Sequence, residues 1–160
     1  MNKTLRPAPV RKSVTVHAPQ SRAFAVFTDG LGRWWPASHS IGASPIRSAV
    51  IEPHRGGRWY EISEDGSICP WGEVLEWEPP NRVLLAWRIG LDWQYDPTLL
   101  TEVEVLFIPM GDRQTRVDLE HRLIENMGDA AEQAREIFGS EAGWPGLLAA
   151  YCAEAEREAA

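Results

Sequence analysis

Residues 100–124 read LTEVEVLFIPMGDRQTRVDLEHRLI, two runs of period-two alternation on either side of a Met110-Gly111-Asp112-Arg113 turn. Successive side chains of a strand point to opposite faces, so Val103, Val105 and Phe107 share one face. On the second run Val117, Leu119, His121 and Leu123 share one. The pattern predicts strands Leu100–Ile108 and Gln114–Ile124, and their short connection makes them antiparallel.

Working back toward the N-terminus, the same reading gives Arg82–Leu91, with Val83, Leu85, Trp87 and Ile89 on one face. It then gives Ile68–Trp77 before the Glu78-Pro79-Pro80-Asn81 turn, Arg58–Ser63 before Glu64-Asp65-Gly66, and Ser48–Glu52 before Pro53–Gly57. Val10–His17 alternates as a half-buried strand. Pro19 suits a first helical turn, and Ala23, Phe24, Val26 and Phe27 form an apolar stripe ending near Asp29-Gly30. Leu31–Trp35 fits one more turn, stopped by Pro36.

Toward the C-terminus, Asp129 is expected to open a helical run through Ala131, Ala134, Ile137 and Phe138. After Gly143, residues Trp144, Leu147, Leu148, Tyr151, Cys152 and Ala155 recur at helical spacing, with Pro145 where a missing N–H costs nothing. The last helix is placed at Trp144–Arg157. Strand, helices, a meander of strands and a final helix make an α+β architecture. Residues 1–9 read as a flexible tail and 10–158 as a single domain.

The chain has 160 residues, a net charge of -7, 44% hydrophobic and 24% charged residues, enough for one ordinary core. Acidic residues are spread along it and no basic cluster stands ready for phosphates, which argues against nucleic acid. The basic residues Lys3, Arg6, Arg11 and Lys12 read as a solvated terminus. No apolar run reaches the roughly 18 residues of a membrane span, and no signal-peptide pattern is seen, so the expectation is a cytoplasmic protein without a membrane partner. Cys69 and Cys152 are expected as free thiols. The four histidines show no metal-ligand spacing, Gly56-Gly57 reads as a turn rather than a phosphate loop, and no nucleophile elbow occurs, so neither metal, cofactor nor covalent catalysis is expected.

The motifs Gly56-Gly57-Arg58-Trp59-Tyr60-Glu61, Asp65-Gly66, Trp71-Gly72-Glu73-Val74-Leu75-Glu76, Pro79-Pro80-Asn81-Arg82 and Trp87 together carry a resemblance. The chain resembles the homologues of the activator of heat shock protein 90 ATPase, in the SRPBCC (START / Bet v I-like) superfamily. That resemblance implies a helix-grip fold: a curved antiparallel sheet wrapped around a long C-terminal helix, with a cavity between them. It extends from the Val14-Val16 strand to Gly143-Trp144-Pro145. Asp92–Thr98, with Trp93, and Ala130–Phe138 depart from the pattern and would reshape the cavity mouth.

Eight tryptophans stand out, each with a large apolar face and one N–H donor. The expected lining of the cavity is Trp35, Trp59, Trp71, Trp87, Trp93, His121, Trp144, Leu147, Leu148 and Tyr151. Each admits a second reading as core. Trp34 and Trp35, on a short connector, read as one rim of an opening or a partner surface. His121 is either a satisfied core histidine or a donor or general base at the wall. Glu61, Glu73 and Glu102 are strand carboxylates, of which a buried one would serve proton transfer.

The function expected is binding of a small hydrophobic or aromatic molecule, with no catalytic residue assigned. A cyclase- or dehydratase-type enzyme is the alternative, and the resemblance adds a chaperone-associated interaction role. A homodimer stays open.

Overall fold

The computed structural model describes residues 8–157, so most of the expected tail lies outside the described residues. Seven strands make one antiparallel sheet: β1 Val10–Val16, β2 Ile46–Ile51, β3 Arg58–Ser63, β4 Ile68–Glu78, β5 Arg82–Trp87, β6 Thr101–Pro109 and β7 Thr115–Arg122. Their order is β1-β7-β6-β5-β4-β3-β2. β2 to β7 form a meander, and β1 closes its far edge by pairing with β7, Val14 opposite Val117. Helices α1 Gln20–Thr28 and α2 Leu31–Trp34 therefore carry the chain from one edge of the sheet to the other.

Helix α4, Trp144–Arg157, is the grip of this helix-grip fold. It buries Trp144, Leu147, Leu148, Tyr151 and Ala155, the stripe that the i, i+3, i+4 spacing demands. Tyr151 Oη donates to Ala23 O at 2.7 Å, and Arg22 Nε donates to Ala155 O at 3.0 Å, so α1 fastens the helix at two levels. The sheet contributes Val83, Leu85, Val103, Val105, Phe107, Val117 and Leu119, all buried. The opposite face carries ion pairs: Arg82–Glu104 at 2.7 Å, Arg122–Glu102 at 3.0 Å and Arg11–Glu120 at 2.8 Å. Among the described residues no helix is long and apolar enough to cross a membrane.

Three expected elements and one expected rim residue are corrected. β5 stops at Trp87 rather than Leu91, because the chain then turns back on itself, Trp93 N donating to Gly90 O and Asp96 N to Arg88 O, while the Arg88 side chain reaches Glu73 and the carbonyls of Pro97 and Leu99. Only the Ile89–Tyr95 bridge continues beyond. β7 ends at Arg122, since Leu123 adopts a left-handed φ of 63°. Asp129 does not start a helix: a 3-10 segment fills Ile124–Ala130, broken at Gly128, and α3 runs from Ala131 to Gly139. Trp34 is no rim residue, because its indole is buried and donates to Val26 O at 2.9 Å.

One glycine is dictated by backbone approach. A Cβ on Gly72 would lie 1.7 Å from Ala86 O, so only a bare α-carbon lets β4 press onto β5 here. The register of β4 shifts on both sides of this position, opposite β3 and opposite β5. Those bulges bend the sheet where the tryptophans Trp59, Trp71 and Trp87 converge.

Candidate functional site

A cavity of about 390 Å³ opens between the sheet, the N-terminal turn of α4, α3 and the connector from α2 to β2. Trp71 comes from β4, Trp87 from the end of β5, Ile89 from the segment just beyond it, Ile137 and Phe138 from α3, and Trp144 and Leu147 from α4. Trp35, Ser38, His39, Ser40 and Ile41 come from the connector, and Trp93 from the loop after β5. The inner walls, Trp71, Trp87, Ile89, Phe138, Trp144 and Leu147, are buried. Ser38 and Ala142 are exposed and Trp93 is 45% exposed, which places the mouth between those loops.

Five tryptophans form a closed circuit around these walls. Ring centroids lie 4.8 Å apart for Trp35–Trp71, 5.5 Å for Trp71–Trp59, 5.6 Å for Trp59–Trp87, 5.9 Å for Trp87–Trp144 and 6.4 Å for Trp144–Trp35. Most are edge-on, the arrangement that the ring quadrupole favours. Four of the five indole N–H groups are spent on acceptors within the protein, and that of Trp59 is buried without a partner. Trp35 donates to His39 O at 2.8 Å, Trp71 to Glu61 Oε1 at 2.9 Å, Trp87 to Ile89 O at 3.0 Å and Trp144 to His121 Nδ1 at 3.1 Å.

His121 belongs to a relay behind the wall. Thr101 Oγ1 donates to Trp87 O at 2.8 Å, so the 2.9 Å contact with His121 Nε2 requires the imidazole to donate there. Nδ1 is then the acceptor that Trp144 needs. Both nitrogens are spent, the ring stacks on Phe138 at 4.5 Å, and it is fully buried. Burial pushes its pKa from 6.5 down to about 3, so it is neutral at ordinary pH. A neutral, doubly bonded imidazole outside the lining has no atom free to act as a base. Its work is to tie Trp144 of α4 to Trp87 of β5.

Glu61 is the strand carboxylate that is buried. It accepts from Trp71 Nε1, from Ile41 N at 2.8 Å and from Gly42 N at 3.2 Å, clasping the connector to the wall. Glu73 and Glu102 instead pair with Arg88 and Arg122 and are half-buried. Both cysteines are free. Burial pushes the Cys152 thiol up to about 11, and burial with the charge of Glu61 raises that of Cys69. Neither is a ready nucleophile.

Of the ten residues expected to line the cavity, six do: Trp35, Trp71, Trp87, Trp93, Trp144 and Leu147. Trp59, His121, Leu148 and Tyr151 lie behind the lining. Trp59 packs edge-on against Trp71 and Trp87, and Leu148 and Tyr151 are buried deeper in the core, Tyr151 against Phe27 and Trp34. Sequence reasoning missed His39, the one titratable side chain of the lining. Its Nε2 donates to Ala142 O at 2.7 Å across the mouth, and its Nδ1 lies 3.0 Å from Ser38 Oγ. Its position after the Trp34-Trp35-Pro36 stop was the available signal.

Comparison with known proteins supplies a context. The sequence profile of the family described as Activator of Hsp90 ATPase homolog 1-like protein matches residues 17–150. No curated protein matches significantly. Among solved structures, an anthrahydroquino-Gama-pyrone synthase, Txn09, complexed with SUM, is 38% identical with a TM-score of 0.64, covering 92% of this chain and 96% of its own. A self-sacrificing resistance protein, CalC from Micromonospora echinospora, is 32% identical with a TM-score of 0.70, covering 96% and 97%. A protein from Nitrosomonas europaea, at 13% identity and a TM-score of 0.62, shares the fold over 94% of this chain and 95% of its own.

Proposed function

We propose that this chain, which belongs to the Activator of Hsp90 ATPase homolog 1-like family, acts as a single domain over residues 10–158 that binds a small hydrophobic or aromatic molecule in its tryptophan-walled cavity. The observation that carries this reading is an apolar space of about 390 Å³ beneath a half-exposed Trp93. Pockets for small organic molecules begin at about 300 Å³ and are lined mainly by apolar and aromatic groups with a few polar ones.

Thermal unfolding against a panel of lipids, aromatic acids, polyketides and flavonoids tests it. A ligand at 100 times its dissociation constant adds about 2.7 kcal/mol, or roughly 5–10 °C for a chain of this size. The expected result is a shift for one chemical class that disappears in Trp87→Ala while the variant stays folded. A panel without any shift would refute the reading.

The 38% identity to a synthase favours a second reading, a cyclase- or dehydratase-type enzyme acting on such a molecule. The cavity would then hold the substrate folded, and proton transfer would fall to His39, which lines the cavity and whose Nδ1 contact with the exposed Ser38 hydroxyl a substrate can replace, rather than to the buried His121. Turnover of a bound compound, lost in His39→Ala with its affinity retained, is the expected result. Turnover indifferent to His39 would remove this reading.

A further inference from the structure

Resting on the binding reading, we infer that the ligand is an amphiphilic aromatic held in one orientation, its bare ring edge against the tryptophans and a hydroxyl or similar polar group at Ser40 and His39. The argument is an accounting of hydrogen bonds. Tryptophan is the one residue type of the apolar walls that could greet a polar substituent; Trp35, Trp71, Trp87 and Trp144 have all committed their N–H groups to protein acceptors, and the unpartnered N–H of Trp59 is buried behind the lining. The nearby backbone is committed too: Ile89 O accepts from Trp87, and Ile41 N donates to Glu61. A substituent carried to the inner end would lose its water and gain no partner, at a cost well above that of burying carbon.

The mouth is different. Ser38, His39 and Ser40 place three polar side chains side by side on one connector. Among the described residues Ser40 Oγ has no protein partner, and it lines the cavity. His39 reaches across to Ala142 O and stands beside it. A ligand hydroxyl at this strip can both donate to and accept from Ser40 and stay near water. The cavity therefore selects against molecules that are polar at both ends and fixes which end of a one-sided molecule goes in first.

The test uses 9-phenanthrol and 9-methylphenanthrene, which share ring system and shape and differ in the hydroxyl. Each is titrated by its own fluorescence against the wild-type chain, Ser40→Ala and His39→Gln. His39→Gln keeps a donor for Ala142, and Ser40→Ala breaks no hydrogen bond within the protein. One hydrogen bond is worth about 3- to 10-fold in affinity. The expected outcome is that the ratio of phenanthrol to methylphenanthrene affinity falls by about that factor in Ser40→Ala, and by a similar or smaller one in His39→Gln. Affinity for 9-methylphenanthrene itself should stay within about twofold. A ratio unchanged in both variants overturns the inference and leaves the binding reading standing. Failure of the wild type to bind either compound, together with a silent panel, brings down the binding reading and this inference with it.

Discussion

Two histidines mark the two ends of the cavity wall, and they have little in common beyond their side chain. His121 stands on a central strand, sealed from water, with both nitrogens matched and its ring stacked on Phe138. His39 stands on a connector, half-exposed, bridging to Ala142 of another loop. The strand-built wall spends both nitrogens of His121 and the N–H groups of Trp71 and Trp87 on protein partners, whereas the loop-built mouth keeps the Ser40 hydroxyl beside the cavity. The buried histidine serves construction, and the accessible one borders the cavity.

The largest effect expected from breaking this contrast is His121→Leu. It removes the acceptor for Trp144 Nε1 inside a dry core, at a cost of about 2–4 kcal/mol in chemical unfolding. An effect under about 1 kcal/mol would mean the relay does not hold the wall. Acid provides a second, slightly smaller, probe. Below pH 6.5 the unfolded chain binds a proton at His121 that the folded chain refuses down to about pH 3, so stability must fall as pH drops through that window. The groups facing the ring, Thr101, Trp87, Phe138 and Trp144, carry no charge to oppose this. The loss between pH 7 and pH 5 should be about 2 kcal/mol and should flatten in His121→Gln, read from urea midpoints at each pH.

Glu61→Gln sharpens the comparison where wall meets mouth. The new amide turns a donor toward the N–H groups of Ile41 and Gly42, so a loss of about 1–2 kcal/mol is expected. Hydrogen exchange at those two amides should accelerate, and protection unchanged there would exclude the clasp. His39→Ala should move stability least, by under about 1 kcal/mol, since its hydrogen bond to Ala142 is near solvent. A cost rivalling that of His121→Leu would erase the distinction between the two ends.

The same contrast explains what was legible in the sequence. Period-two alternation placed Val103, Val105, Phe107, Val117, Leu119 and His121 on the inner face, and helical spacing placed Trp144, Leu147 and Tyr151, because repeating geometry leaves a repeating trace. What it could not separate is lining from core. Trp59 and Trp87 both satisfy alternation, yet only Trp87 meets the cavity, since the bulges around Gly72 redirect neighbouring strands by contacts distant in sequence. Nor could it reach His39, whose place depends on Ala142, 103 residues away. Trp34 and Trp35 looked alike on one turn and were parted by a single hydrogen bond to Val26 O.

The closed circuit of tryptophans has an optical consequence. Indoles this close exchange excitation faster than they emit, so light absorbed by any of the five is shared around the ring before it leaves as fluorescence. A guest that quenches one of them darkens all of them, which makes the cavity its own amplified reporter of occupancy.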